Sequence, residues 1–200
     1  IRLAEETGLI HQLGERILHI ACREALTWPA HVNVSVNVSP LQLKNRKFPE
    51  IVRHVLEETG LDGARLEVEI TESVLMDEYE HKNVILSELK ALGCKISMDD
   101  FGTGYSSLSY LWKFSFDKIK IDRSFVQALP DPTAKEIIQA ILGIASIRAM
   151  TVTVEGVETA AQLQMVSTMG CAQAQGYYLG RPQQQAIAAT REMEMALAWD

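Results

Sequence analysis

A strand pattern followed by a helix pattern recurs roughly every 20 to 35 residues along this chain, and this repetition limits the fold more than any other feature. The strand patterns alternate apolar and polar residues, and three of the helix patterns end at glycine. Successive parallel strands need a crossover helix, so the repeat predicts β-α-β units and a parallel sheet in an α/β protein. Strands are expected at residues 31–39, 65–71, 95–100, 117–122, 151–157 and 173–179.

Between these strands, apolar residues recur at helical spacing. Ser39 followed by Pro40 offers a helix an N-cap and a first-turn proline, and Thr159 with Gln162 offers another helix a capping box. No linker or low-complexity run interrupts the pattern, so residues 1–200 are expected to form one domain. Helices are expected over residues 1–26, from 40 to Gly60, ahead of Gly93, over 108–112, from Asp131, from Thr159 to Gly170 and over the tail 183–200.

Polar side chains stand near the carboxyl end of every predicted strand. In a closed (β/α) barrel these ends converge on one mouth, where such enzymes place their chemistry. In an open sheet the outer strands would lie too far apart to share a site. The recurrence therefore favours a TIM-like barrel over an open sheet. The strand-end residues are Asn37, Glu69, Asp99, Asp100, Lys120, Glu155 and Gln175.

The oxygen-bearing members of this set suit a hard metal ion. In the absence of Cys and His, carboxylate and amide oxygens favour Mg²⁺ or Mn²⁺ over zinc. Four carboxylates around one mouth repel each other unless cations neutralise them, so two ions are expected. Two ions about 4 Å apart are the usual device for displacement at a phosphodiester, with Asp99 as the candidate bridge. The expected ligands are Asn37, Glu69, Asp99, Asp100 and Glu155.

Lys120 is the one cation among these strand-end residues. It can orient the attacking hydroxide or offset charge in the transition state, and it can equally form a buried salt bridge with a structural role only. Residues 101–107 contain two glycines and four hydroxyl groups and can wrap a ligand or act as a lid. Glu72 and Glu158 each follow an expected ligand by three residues; they can brace the loops or be solvated acids at helix starts.

Composition narrows the classes of function. The formal net charge of −7 argues against a protein that coats a nucleic-acid polymer. No apolar run approaches the roughly 20 residues needed to cross a bilayer, and no signal peptide opens the chain. Cys22, Cys94 and Cys171 lack the spacing of a metal site. They are expected to be buried, reduced thiols in a cytoplasmic protein.

These residues, in this order, resemble the EAL family of cyclic-di-GMP phosphodiesterases. The resemblance implies a modified (β/α)₈ barrel, with about six of the eight strands in this chain. It also implies hydrolysis of cyclic-di-GMP to linear pGpG at a site with two Mg²⁺ or Mn²⁺ ions. The matching segments are residues 3–10, 36–39, 69–73, 99–107, 120–126, 155–159, 175–177 and 181–182.

Roles for individual residues follow from the resemblance. Glu72 matches the glutamate that steadies the glycine-rich loop, and Glu158 is given a bracing role by its position. The loop after Asp100 is expected at the interface of a homodimer. Sensory or GGDEF domains are expected to flank the domain in a parent protein that can itself be membrane-anchored. The catalytic set is Lys120, Glu155 and Asp99, the substrate-binding set is Asn37, Asp100 and Gln175, and the metal ligands are those given above.

The chain departs from the family pattern in two places. It begins downstream of the segment that names the family, so two strands, a metal-binding glutamate and a phosphate-contacting arginine fall outside the sequence. Glu24-Ala25-Leu26 spells the tripeptide, but it lies in a predicted helix at the wrong position. Ser115 stands where the family usually has proline. A fragment starting at Ile1 is expected to lose most activity, because one ligand and one barrel wall are missing.

Three other functions stay open on the sequence. A cyclic-di-GMP receptor without activity is one, although such receptors usually lose metal ligands. An unrelated metal-dependent barrel enzyme, such as an enolase-type lyase, is the second, and a docking or dimerisation module is the third. Metal-dependent turnover, a substrate screen and nucleotide binding, respectively, distinguish them.

Overall fold

Six parallel strands form one sheet in which each strand pairs with the next strand along the chain. These strands lie in residues 1–75, 79–102 and 108–183, which the computed structural model describes. The parallel α/β arrangement predicted from the sequence is therefore confirmed. The strands are β1 (Val34–Asn37), β2 (Leu66–Thr71), β3 (Lys95–Phe101), β4 (Lys118–Ile121), β5 (Thr151–Val154) and β6 (Gln173–Ala174).

Helices connect all of these strands, as a parallel sheet requires. No helix in the described ranges combines the length and apolar character needed to span a bilayer. Short 3-10 helices cover Gly63–Arg65 and Glu72–Leu75. The α-helices are α1 (Arg2–Glu6), α2 (Ile10–Ala25), α3 (Pro40–Lys44), α4 (Phe48–Thr59), α5 (Tyr79–Ala91), α6 (Leu108–Lys113), α7 (Arg123–Gln127), α8 (Pro132–Ile147) and α9 (Ala160–Thr168).

The sheet has an apolar face and a polar face, because side chains alternate along each strand. The apolar face belongs to the hydrophobic core shared with the helices, and it includes Val68, Ile96 and Ile119, all fully buried. The opposite face, called the inner face below, carries the glutamates of β2 and the lysines of β4. The fold thus places the charged residues of several strands on one surface.

Two predicted helices are each divided in the structure. The helix expected over residues 1–26 breaks between α1 and α2, because Gly8 has a left-handed φ of 74°. The helix expected from residue 40 to Gly60 breaks between α3 and α4, because the backbone of Asn45 is extended. The predicted cap at Ser39 is confirmed, and it includes a full capping box with Gln42.

Several strands are shorter than predicted. β1 begins at Val34 rather than at residue 31, and β5 ends at Val154, one residue before Glu155. The largest correction concerns the sixth strand, expected over residues 173–179 and observed only at Gln173–Ala174. The N–H groups of Leu179 and Gly180 bond to the carbonyl of Gly176, so the chain turns there instead of pairing. Residues 103–107 and 184–200, with the expected tail helix, lie outside the described residues.

The three cysteines are free and buried, as predicted. Burial raises the pKa of the Cys22 and Cys171 thiols to about 11. It also raises the pKa of Cys94 to about 12. All three side chains therefore act as small apolar groups of the core rather than as reactive thiolates.

The side chain of Arg65 connects the end of α2 to the segment that leads into β1. Its Nη2 atom donates to the carbonyl oxygens of Ala25 at 2.6 Å and Val32 at 2.9 Å, and also reaches that of Pro29 at 3.3 Å. We expect Arg65→Ala to lower the free energy of unfolding by about 2–4 kcal/mol, because part-buried carbonyl groups lose a charged donor. Urea denaturation measures this loss.

Arg148→Ala is the matched control for this substitution. The Arg148 guanidinium donates to the Phe114 carbonyl at the longer distance of 3.4 Å and lies 5.7 Å from the Trp112 ring centre. We expect a loss of about 1 kcal/mol or less for the control. Equal losses for the two variants would contradict the role given to Arg65.

Candidate functional site

A buried lysine on the inner face is surrounded by carboxylates from three other segments. The Nζ atom of Lys120 lies 2.9 Å from Glu69 Oε2, 3.0 Å from Asp99 Oδ1 and 2.7 Å from Glu155 Oε1. The Lys120 side chain is only 8% exposed, so these ion pairs are little screened by solvent. The structure thus brings together four of the strand-end residues predicted from the sequence.

The order of the strands explains why Lys120 lies beside these carboxylates. β3 lies between β2 and β4, and Lys120 on β4 reaches across β3 to Glu69 on β2. Glu155 follows β5, and its N–H donates to the Ile121 carbonyl at 3.0 Å, which keeps it beside β4. Each side chain therefore reaches the same point from a different strand, at the carboxyl end of the sheet.

Asp100 joins this group through an irregular backbone. Neighbouring residues of a regular strand point to opposite faces, so Asp99 and Asp100 would be separated. Asp100 instead has a φ of 53°, and the pairing of β3 with β4 shifts between Met98 and Phe101. One carboxylate oxygen each of Asp99, Asp100 and Glu155 then lies within 4.8 Å of the other two. A non-glycine residue in this conformation costs of order 1 kcal/mol, a strain that clusters at functional sites.

This group of carboxylates, Asp99, Asp100 and Glu155, fits a divalent cation. An all-oxygen set suits Mg²⁺ or Mn²⁺. The Asp99 Oδ1 atom is buried and, among the described residues, accepts no hydrogen bond, although it lies 3.0 Å from Lys120 Nζ. A carboxylate oxygen carries more than one lone pair, so this atom can bind an ion beside its ion pair with Lys120. Glu69 is not part of this close group and pairs with Lys120 instead.

Electrostatics around Lys120 favour an added cation. Burial raises the pKa of Glu155, and the Asp99 and Glu69 charges raise it further, while Lys120 acts in the opposite direction. Burial and the Asp99 charge likewise raise the pKa of Asp100. Burial alone would lower the pKa of Lys120, but its hydrogen bond to Glu155 and the charge of Glu69 outweigh burial and raise it. Lys120 therefore stays charged, while the pKa values of Glu155 and Asp100 stay raised, chiefly by burial and with a further contribution from neighbouring carboxylates.

The remaining predicted residues lie around this cluster. Asn37 ends β1 in register with Glu69 and is exposed. Gln175 follows β6, donates its N–H to the Val154 carbonyl at 2.8 Å and is also exposed. Glu72 is buried where the chain leaves β2. Glu158 is exposed ahead of α9, where its N–H donates to Gln162 Oε1 at 2.8 Å. Their functional roles stay predictions.

Sequence reasoning missed a second ion pair on the inner face, between Glu67 and Lys118. Both residues lie two positions before the strand-end residues, outside the edge where barrel enzymes place their chemistry. The signal was nevertheless present, because Glu67 precedes Glu69 by two residues and Lys118 precedes Lys120 by two. Residues two apart on a strand share a face, so both pairs belong to one surface.

The family model of the EAL domain matches residues 1–182 of this chain. The chain belongs to the EAL domain family. The resemblance stated from the motifs is confirmed, and so is the α/β fold of the EAL type. The six strands of this EAL domain form a half-barrel with helices, like the corresponding part of solved EAL structures.

Characterised proteins and solved structures resemble this EAL domain over most of its length. The bifunctional diguanylate cyclase/cyclic di-GMP phosphodiesterase MucR of Pseudomonas aeruginosa is 42% identical over 185 residues, which cover 90% of this chain and 27% of that protein. The structure of the PaMucR phosphodiesterase in complex with c-di-GMP has a TM-score of 0.87 at 41% identity, covering 92% of this chain and 76% of the other.

A more distant solved structure contains a metal. The manganese and c-di-GMP complex of Klebsiella pneumoniae BlrP1 has a TM-score of 0.80 at 27% identity, covering 86% of this EAL domain and 45% of the other chain. The curated relatives are much longer than this sequence. The chain spans 22% of the length of one relative from Sinorhizobium fredii and 27% of MucR.

Proposed function

We propose that this EAL domain hydrolyses cyclic-di-GMP in a metal-dependent reaction that opens one phosphodiester and gives linear pGpG. The observation that carries this proposal is the buried Lys120 among Glu69, Asp99 and Glu155, beside a carboxylate group able to hold a divalent ion. The description of MucR as a phosphodiesterase and the c-di-GMP complexes of related structures support the choice of substrate.

The proposed metal ligands are the strand-end oxygen donors. Two divalent ions, Mg²⁺ or Mn²⁺, would polarise the phosphate and supply a hydroxide when bound. Asp99 belongs to the group with Asp100 and Glu155 and also lies 3.0 Å from Lys120, and it is the proposed bridge between two ions. The full proposed ligand set is Asn37, Glu69, Asp99, Asp100 and Glu155.

Lys120 acts as a fixed positive charge in this proposal. Because Glu155 and Glu69 keep it protonated, it can stabilise negative charge that develops on the reacting phosphate oxygens. The exposed side chains of Asn37 and Gln175 are the proposed contacts with the rest of the dinucleotide, together with Asp100. Glu72 and Glu158 are proposed to brace the adjoining loops.

We propose that residues 1–200 belong to one EAL domain that works in the cytoplasm as a homodimer through the loop after Asp100. Sensory or GGDEF domains beside it would agree with the greater length of the curated relatives. Such an arrangement would let an input signal reach the site through the dimer.

Incubating the full-length protein with cyclic-di-GMP and Mg²⁺ or Mn²⁺, with pGpG followed by chromatography, tests the activity. We expect Asp99→Ala to lower turnover by about 1,000-fold or more, because the bridging ligand is lost. Asp131→Ala is the matched control, since this carboxylate caps α8 through the Thr133 N–H, away from the inner face. The control is expected to keep its turnover.

Each rival function predicts a different result in this experiment. Tight nucleotide binding without pGpG, in the presence of either metal, would contradict hydrolysis and favour a receptor. Turnover that persists in Asp99→Ala or without metal would contradict the proposed site. Absence of both binding and turnover would favour a docking role.

A further inference from the structure

A second layer of polar side chains lies beneath the carboxylate cluster on the inner face. Each member precedes a member of the cluster by two residues on the same strand or its continuation, so it points to the same side. The two layers are therefore stacked, with the lower one further from the carboxyl ends of the strands. The upper layer is Glu69, Asp99, Lys120 and Glu155, and the lower layer is Glu67, Ser97, Lys118 and Thr153.

The lower layer repeats the central contact of the upper one. Lys118 Nζ reaches across β3 to Glu67 Oε2 at 2.6 Å, just as Lys120 reaches Glu69. The side chain of Glu67 is 1% exposed and that of Lys118 is 18% exposed. Within the described residues, the second oxygen of Glu67 and the hydroxyl of Ser97 are buried without a hydrogen bond.

Folding stability does not account for this pair. A buried ion pair usually contributes little, because the cost of removing two charges from water offsets their attraction. The two buried polar atoms without partners add to that cost. Large branched apolar residues dominate the interiors of TIM barrels and could fill the same space. A charged pair at this place therefore calls for a role connected with the cluster above it.

We propose that Glu67 and Lys118 neutralise each other beneath the metal-binding cluster, so that neither buried charge alone disturbs its affinity for divalent ions. This inference rests on the proposed function, because it takes the upper layer to be the metal site. The upper layer with Asp100 holds four carboxylates and one lysine, while the lower pair is neutral. Residues two apart on a strand are separated by about 7 Å, and two charges at that distance inside a protein interact strongly.

The two members of the pair must then act in opposite directions on metal affinity. Without the Glu67 charge, Lys118 would repel the incoming cations. Without the Lys118 charge, Glu67 would attract them and would also repel an anionic substrate. Both are positioning residues in this proposal, since they act through the electrostatic potential at the cluster and touch neither substrate nor reacting atoms.

Mn²⁺ binding to the full-length protein, measured by electron paramagnetic resonance at fixed pH and salt, tests this proposal. We expect Glu67→Gln to weaken binding about tenfold and Lys118→Met to tighten it about tenfold. The double variant, which is neutral again, is expected to bind within about threefold of the unsubstituted protein. Lys90→Met removes a lysine that pairs with Asp117 just ahead of β4. This control is expected to leave the affinity for Mn²⁺ unchanged.

The outcomes separate the possible causes. Weaker binding in both single variants, with the double variant weaker still, would mean that the pair only supports packing and would overturn the proposal. If Lys118→Met does not fold, the proposal still requires the double variant to bind Mn²⁺ more tightly than Glu67→Gln, and the opposite order overturns it. Absence of Mn²⁺ binding in the unsubstituted protein would overturn this inference and the proposed metal site together.

Discussion

Replacing Lys120 with methionine is expected to make the folded state depend on added Mn²⁺. Without its positive charge, the buried carboxylates of Glu69 and Asp99 and the partly buried carboxylate of Glu155 face one another with no cation between them. Removing one partner of a buried ion pair typically costs about 3–5 kcal/mol, because an uncompensated charge stays behind. A divalent ion bound to the carboxylates should restore much of this loss, since a ligand at 100 times its Kd adds about 2.7 kcal/mol.

Added Mn²⁺ is expected to restore the stability of Lys120→Met but not its turnover. The proposed role of Lys120 is to stabilise charge in the transition state, and removing one such group costs roughly 100- to 1,000-fold in rate. Lys120→Met saturated with Mn²⁺ is therefore expected to be folded, to bind metal at least as tightly as the unsubstituted protein and to form pGpG far more slowly. This combination separates a catalytic lysine from a structural one, a choice that the sequence left open.

Thermal unfolding with and without Mn²⁺, alongside the pGpG assay, measures both effects. Lys90→Met is the matched control, because Lys90 also forms a 2.8 Å ion pair, with Asp117, but is one-third exposed. We expect the control to lose about 1 kcal/mol or less and to show normal turnover. A stability loss for Lys120→Met that Mn²⁺ leaves unchanged would contradict the charge argument. Full activity in that variant would make the lysine purely structural.

Much of this architecture could be predicted from local patterns. The alternation in β4 placed Ile119 and Ile121 in the core and Lys120 on the other face, because side-chain direction in a strand follows position alone. The capping box of Thr159 with Gln162 was predictable for the same reason, since it depends on residues three apart. Local periodicity and the rule that parallel strand ends meet were enough to bring Lys120 and its carboxylates together.

The errors arose where contacts between distant segments decide the conformation. The sixth strand stops short of residue 179 because Tyr178, Leu179 and Gly180 bond to Val157 and Gly176 instead of to the sheet, which no periodicity reveals. The left-handed φ of Asp100 is equally invisible in a sequence that reads as a strand terminus. That backbone turn decides whether Asp100 shares a face with Asp99. The position of Asp100 in the candidate site therefore could not be predicted from the sequence.

Gly156, the residue after Glu155, links the backbone to the site in a way that a single substitution can test. Its φ of 74° lies in the left-handed region that side chains disfavour. An added Cβ would lie 2.3 Å from the Cβ and 3.1 Å from the Cα of Arg123, at the start of α7. Relief requires β5 and α7 to separate, and that movement would shift Glu155 away from Lys120.

We expect Gly156→Ala to lower the free energy of unfolding by about 3–4 kcal/mol, of which roughly 1 kcal/mol is backbone strain and the rest is overpacking. Gly170→Ala is the matched control, because Gly170 has a φ of 87° but nothing within 4 Å of an added Cβ. In the control, only backbone strain should lower the free energy of unfolding, by about 1 kcal/mol. Urea denaturation gives both values, and Mn²⁺ affinity should fall in Gly156→Ala alone, since only there does a carboxylate of the cluster move. If the two alanines cost the same and neither alters Mn²⁺ binding, then the contact with Arg123 does not hold Glu155 in place, and its position must come from the ion pair with Lys120.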